Sequence, residues 1–254
     1  MPAPERPALL ILGGTAEAVA LADALMDAWG TEYQVITSLA GRTRTPRQPR
    51  GRVRTGGFGG AESLARYLVT HEVRVMIDAT HPFARGISEN ARRAGANAGV
   101  PRLALLRPPW EPGPGDDWRL FSNLNAVAAE LPGAGRRVFL TVGRTELAAF
   151  RDCRETRFLV RMIDSPDVSL PVPSSEVITG RGPFDVESEK GLMTEHKIDV
   201  LVCKASGGSA TRAKLDAARE LGLPVLMVAR PDPPAGPCVA DIDAALAWVR
   251  EQVT

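Results

Sequence analysis

The chain of 254 residues sets 31 Lys and Arg against 30 Asp and Glu, so no net field draws it to nucleic acid or to an anionic membrane surface. No apolar run approaches the roughly 20 residues that span a bilayer, and the opening residues lack a signal-peptide core. Three cysteines, Cys153, Cys203 and Cys238, without metal-pair spacing, fit a reducing compartment; a cytoplasmic protein with no metal site and no membrane partner is expected. The length allows one large α/β domain or two smaller ones, each able to bury a core.

Leu9-Leu10-Ile11-Leu12 reads as a buried strand that Gly13-Gly14-Thr15-Ala16-Glu17 turns directly into a helix over residues 18–29. Such a turn lets backbone N–H groups at a helix start approach an anion, the way dinucleotide phosphates are held. It departs from G-x-G-x-x-G, however, and a plain tight turn reads the same. Residues 33–38 form the next strand, and the loop after it carries no carboxylate. An acidic residue there would hold a ribose 2′-hydroxyl, whereas hydroxyl and guanidinium donors suit a 2′-phosphate, so Ser38, Arg42 and Thr43 point to NADP rather than NAD. Residues 52–55 make a short third strand, and Gly56-Gly57-Phe58-Gly59-Gly60 breaks the chain before a helix over residues 61–71.

The run over residues 73–77 is mostly β-branched or apolar, as a covered parallel strand should be. It stops in Asp78, Thr80 and His81, at the carboxyl end where open α/β sheets bind ligands. Pro82 fits the first turn of a helix expected over residues 83–98; Asp78 and Thr80 read equally well as its caps, and His81 as a turn residue. A fifth strand covers residues 101–106. The segment Pro108-Pro109-Trp110-Glu111-Pro112-Gly113-Pro114-Gly115-Asp116-Asp117 is the strongest composition shift and reads as an extended linker or edge connection. After a short segment at residues 118–121 and a helix near residues 125–131, a boundary is expected between residues 1–131 and 132–254.

The second lobe repeats the rhythm, with strands over residues 138–142, 158–162, 176–179, 200–203 and 224–228 and a closing helix over residues 242–253. Gly143-Arg144-Thr145-Glu146 turns its first strand into a helix, and Gly180-Arg181-Gly182-Pro183-Phe184 precedes another. Lys204-Ala205-Ser206-Gly207-Gly208 leads towards a helix over residues 212–221. It reads either as an anion cradle or as a lysine reaching solvent beside a glycine turn.

Taken together, Ile11-Leu12-Gly13-Gly14-Thr15-Ala16-Glu17, Asp78-Ala79-Thr80-His81-Pro82-Phe83-Ala84, Gly143-Arg144-Thr145-Glu146-Leu147 and Cys203-Lys204-Ala205-Ser206-Gly207-Gly208 resemble the precorrin-6A reductase family. Their order and spacing cover nearly the whole chain. The resemblance implies an α/β fold of two Rossmann-like lobes with parallel sheets flanking a central cleft. It implies an NADPH-dependent reduction of precorrin-6A to precorrin-6B, a carboxylate-rich tetrapyrrole, in cobalamin biosynthesis.

Within that scheme residues 1–131 hold NADPH through Gly13, Gly14, Thr15, Ala16, Glu17, Ser38, Arg42, Thr43 and Thr80. Substrate carboxylates fall to Arg85, Arg144, Lys204, Ser206, Gly207 and Gly208, with Arg181 at a similar loop end. His81 is the candidate proton donor and Asp78 the group that orients it. With no flavin or metal motif, hydride is expected to pass directly from nicotinamide to macrocycle. A cobalt-bearing substrate of the anaerobic branch and a non-catalytic NADP-binding module stay open as alternatives. Short-chain reductase chemistry is disfavoured, because Tyr33 and Tyr67 are the only tyrosines and neither begins a Tyr-x-x-x-Lys pair. Transient contact with neighbouring pathway enzymes completes the expected partners.

Overall fold

The computed structural model describes residues 6–41 and 47–253. By contact density the chain forms two units, one running to Pro108 and resuming at Pro231, the other Pro109–Arg230. The first contains β1 (Ala8–Leu12), α1 (Ala16–Trp29), β2 (Gln34–Leu39), β3 (Arg52–Thr55), α2 (Ala61–Thr70), β4 (Val73–Asp78), α3 (Arg85–Ala98) and β5 (Arg102–Leu105). The second contains β6 (Trp118–Phe121), α4 (Leu124–Ala134), β7 (Arg137–Leu140), a 3₁₀ helix (Arg144–Phe150), β8 (Arg157–Met162), β9 (Ser175–Thr179), α5 (Val186–Glu195), β10 (Val200–Lys204), α6 (Ala213–Glu220) and β11 (Val225–Val228). Finally β12 (Cys238–Val239) and α7 (Ile242–Val253) rejoin the first unit.

Each unit is built on a six-stranded sheet, in the orders β12-β5-β4-β1-β2-β3 and β6-β11-β10-β7-β8-β9, and every strand pair is parallel. Read from β3, the first has the doubly wound order with β12 in sixth place; read from β9, the second repeats it with β6 in sixth place. The order reverses between β1 and β4 in one sheet and between β7 and β10 in the other. Ligand-binding loops in open sheets gather at the carboxyl ends beside such reversals.

Alternation along the central strand supplies two cores at once. Leu9 and Ile11 pack with Leu21, Leu25, Ala245 and Val249 of α1 and α7, while Leu10 and Leu12 pack with Leu64, Leu68, Ala91 and Ala94 of α2 and α3. An uninterrupted apolar strand is what a sheet covered on both faces requires.

The observed division differs from one at residues 131 and 132. Strand β6 pairs with β11 from Trp118↔Val225 to Phe121↔Val228, and α7 buries Ala245 and Val249 against the first sheet. The segment expected as a linker is likewise packed within its own unit. Trp110 donates to the Gly208 carbonyl, Arg212 to the Glu111 carbonyl, and the buried Asp116 carboxylate takes the Gly113 N–H and faces Arg212 and Arg219. Helix α3 starts at Arg85 rather than beside Pro82, because the chain first makes a tight turn in which Ala84 N–H donates to the His81 carbonyl at 2.7 Å.

One charge pair is enclosed in the first unit. Arg102 Nη1 lies 3.7 Å from Asp78 Oδ2, with the side chains 6% and 2% exposed, and Arg102 Nη2 donates to the Ala235 carbonyl of the segment returning to β12. Stripping a buried carboxylate of its cation costs about 3–5 kcal/mol. Arg102→Met is expected to lower stability by that order in urea unfolding, and adding Asp78→Asn to recover most of it.

Candidate functional site

At the β1–β4 reversal the two strand ends are joined through Thr15. Its hydroxyl donates to the Ala79 carbonyl at 2.7 Å and accepts the Ala18 N–H at 3.1 Å, capping α1 while fixing the turn after β4. Gly13 N–H donates to the Ser38 carbonyl, and a Cβ on Gly13 would lie 2.9 Å from Thr37 Cγ2, so only glycine fits. Gly14 is the opposite case. Its φ of +114° suits glycine, and a Cβ there would meet no atom within 4 Å, which leaves the backbone open to a ligand. Helix α1 begins at Ala16, earlier than expected, so the N–H groups of Ala16 and Glu17 sit in its first turn, where no intrahelical acceptor exists.

The Glu17 side chain is otherwise engaged, with Arg107 Nη1 3.3 Å from its carboxylate. Arg107 lines one crevice with Thr15, Glu17, Thr80, Pro82 and Leu105. Sequence reading passed over Arg107, although its place just past the end of β5, next to β4, was the available signal.

Asp78 and His81 are not brought together as an acid and its orienting group. Asp78 Oδ1 accepts from Thr80 N and from Thr80 Oγ1 at 2.7 Å, and Oδ2 faces Arg102, so the carboxylate shapes the turn through Thr80. His81 Nδ1 accepts the Phe83 N–H at 3.3 Å, and its ring lies tilted 5.8 Å from that of Phe83. An Nδ1 that accepts leaves the neutral ring's proton on Nε2.

Ser38 is buried at the end of β2, and its Oγ accepts from Arg54 Nη1 at 2.7 Å. Arg42 and Thr43 lie outside the described residues. Arg54, missed in the sequence because it is one arginine among many and 16 positions away, stands directly opposite Ser38 on β3.

In the second unit Lys204 ends β10 at the β7–β10 reversal, and its Nζ donates to Glu146 Oε2 at 2.7 Å. The same oxygen accepts the Gly143 N–H at 3.0 Å, which ties the two strand ends together. Ser206 donates through N and Oγ to the Lys204 carbonyl, and Gly207 and Gly208 both take positive φ, at +72° and +75°. These glycines do not open a helix, since α6 starts only at Ala213. Arg144 and Arg181 are exposed beside this loop cluster's strands, whereas Arg85 is exposed at the start of α3, in the first unit with the Thr80 turn. Cys203 is enclosed under the second sheet, and burial pushes its thiol up to about 11.

The strand orders and the polar loops at both reversals define a doubly wound α/β protein of the nucleotide-binding kind. Residues 8–250 match the family model described as precorrin-6x reductase CbiJ/CobK, and the chain belongs to that family. It is 53% identical to the precorrin-6A reductase of Rhodococcus erythropolis over 242 residues, covering 95% of this chain and 96% of the other. It is 30% identical to the cobalt-precorrin-6A reductase of Priestia megaterium over 238 residues, covering 88% and 90%. A solved structure described as CobK precorrin-6A reductase superposes with a TM-score of 0.90 at 39% identity, over 98% of both chains.

Losing an N-cap hydroxyl costs about 0.5–2 kcal/mol, and Thr15 also holds the turn after β4. Thr15→Ala is therefore expected to lower the unfolding free energy by that amount in a urea titration and to weaken NADPH binding in a fluorescence titration, whereas Thr15→Ser is expected to retain both.

Proposed function

We propose that the chain reduces precorrin-6A with NADPH in cobalamin biosynthesis, as a precorrin-6A reductase of the aerobic branch. The observation that carries the reading is the open turn at Gly14 beside the Asp78–Thr80–His81 loop, inside a chain that matches precorrin-6A reductases from end to end. The metal-free substrate is preferred because relatives named for it are 40–53% identical, while those named for the cobalt form are 28–30% identical.

The turn suits the phosphates of NADPH: the Gly14 backbone lies in open space, and the first-turn N–H groups of Ala16 and Glu17 in α1 offer donors beside it. Ser38 and Thr80 flank it, and Glu17 contributes through its backbone because its carboxylate is held by Arg107. When bound, NADPH supplies the hydride for a macrocycle double bond.

Protein residues then position and protonate. Asp78 acts as a positioning residue, fixing Thr80 and with it the loop that carries His81. His81 acts as the acid in its imidazolium form, in which Nδ1 releases the Phe83 N–H, and gives a proton to a carbon neighbouring the reduced one to return to the neutral ring. Lys204, held by Glu146, takes substrate carboxylates together with Arg144 and the Ser206-Gly207-Gly208 backbone. A non-catalytic NADP-binding module would have no use for this second polar loop.

Turnover decides the matter. Precorrin-6A with NADPH should lose its conjugated absorbance, and the cobalt form should react more slowly; absence of any spectral change with either substrate would reject the reading. A positioned acid contributes about 10²–10⁴-fold, so His81→Ala should lower kcat by that order while the KM values hold. A raised KM with unchanged kcat would make His81 a binding group instead.

A further inference from the structure

Arg54 is a half-buried cation that makes no ion pair among the described residues. Burying a guanidinium without a counter-charge is costly, and such a group is usually paired. No carboxylate stands close in sequence: β2 ends in Ser38-Leu39 and is followed by Ala40-Gly41, residues 42–46 read Arg-Thr-Arg-Thr-Pro, and Gly56-Gly57-Phe58-Gly59-Gly60 follows β3.

The side chain is also fixed in place. Nη1 donates to Ser38 Oγ at 2.7 Å and to the Gly56 carbonyl at 2.9 Å, Nη2 leans on the Gly57 carbonyl at 3.4 Å, and Cζ lies 3.8 Å over the Phe58 ring. Tyr67 closes the same side at 5.4 Å. These contacts use one edge of the fork, and no hydrogen bond from Nε is recorded among the described residues. Ser38 Oγ accepts from Arg54 and keeps its own O–H as a donor. A rigid guanidinium edge beside a hydroxyl donor is a receptor for a doubly charged oxyanion.

We infer that Arg54, with Ser38, reads the 2′-phosphate of NADPH and sets the preference for NADPH over NADH. The inference rests on the reading that NADPH binds at the Gly13–Gly14 turn. Gly13 donates to the Ser38 carbonyl, so the phosphate-holding turn and the Ser38–Arg54 pair share one strand end. Arg54 is pre-organised by its ring stack, which lysine cannot reproduce.

The test compares binding of 2′,5′-ADP and 5′-AMP by calorimetry, so that no turnover is needed. The parent should prefer 2′,5′-ADP, and Arg54→Ala should cut that preference by roughly 10- to 100-fold, the scale of a charge-assisted phosphate contact. Arg54→Lys should keep only part of it. If Arg54→Ala loses its fold by circular dichroism, the ratio is read on Arg54→Gln, which keeps a polar side chain at this position and removes the charge. A parent that prefers 2′,5′-ADP beside a folded variant with an unchanged ratio overturns the assignment alone, as does a collapse of the ratio in Arg42→Ala but not in Arg54→Ala. A parent that binds both ligands equally overturns the NADPH reading and this assignment with it.

Discussion

A single hydroxyl joins the two loops on which the first unit's site depends. Thr15 Oγ1 bonds the Ala79 carbonyl on one side and the Ala18 N–H on the other, so the start of α1 and the loop after β4 cannot move independently. Everything proposed for the cofactor follows from that coupling. The Gly13–Gly14 backbone is presented because α1 starts at Ala16, and His81 is presented because Asp78 and Thr80 set the turn that Thr15 anchors. The second unit solves the same problem with a charge: Lys204 and Gly143, on different strand ends, both donate to Glu146 Oε2. A hydroxyl fixes the turn without adding a charge to it. A Lys–Glu pair keeps a cation in place until an anionic group competes for it.

Both sheets use the same strand order, yet each completes it with a strand from beyond its own run of alternating strands and helices. The consequence is mechanical. The chain crosses between units at Pro108/Pro109 and again at Arg230/Pro231, and β12 brings α7 back to bury Ala245 and Val249 on the first sheet. The buried Arg102 belongs to this arrangement, since it neutralises Asp78 at the end of β4 and holds the Ala235 carbonyl just before β12. A charge that shapes the turn bearing His81 is thereby linked to the returning segment.

Much of this was legible in the sequence because apolar strands covered on both faces declare themselves: residues 8–12, 73–78 and 200–204 were found to within a residue or two. The polar stops after them marked both reversals. What the sequence hid was long-range pairing. Strand β12 is two residues long and has no period, and β6 looked like a prelude to a second lobe until its pairing with β11 placed it at a sheet edge. The proline- and glycine-rich segment before β6 has the composition of a linker, but Trp110 and Asp116 bind it to α6 and the Gly208 loop. Arg54 and Arg107 were overlooked for the same reason. Their meaning comes from Ser38 and Glu17, which lie across strands rather than along the chain.

We propose NADPH on the first unit's β1–β4 reversal, with its phosphates at the Gly14 backbone. Hydrogen exchange of the whole chain with and without NADPH tests it most directly, because amides that donate to a phosphate exchange slowly. Added protection confined to residues 13–17, 38–41 and 79–82 is the expected result. Protection at residues 204–208 of the second unit, with none at residues 13–17, would contradict it.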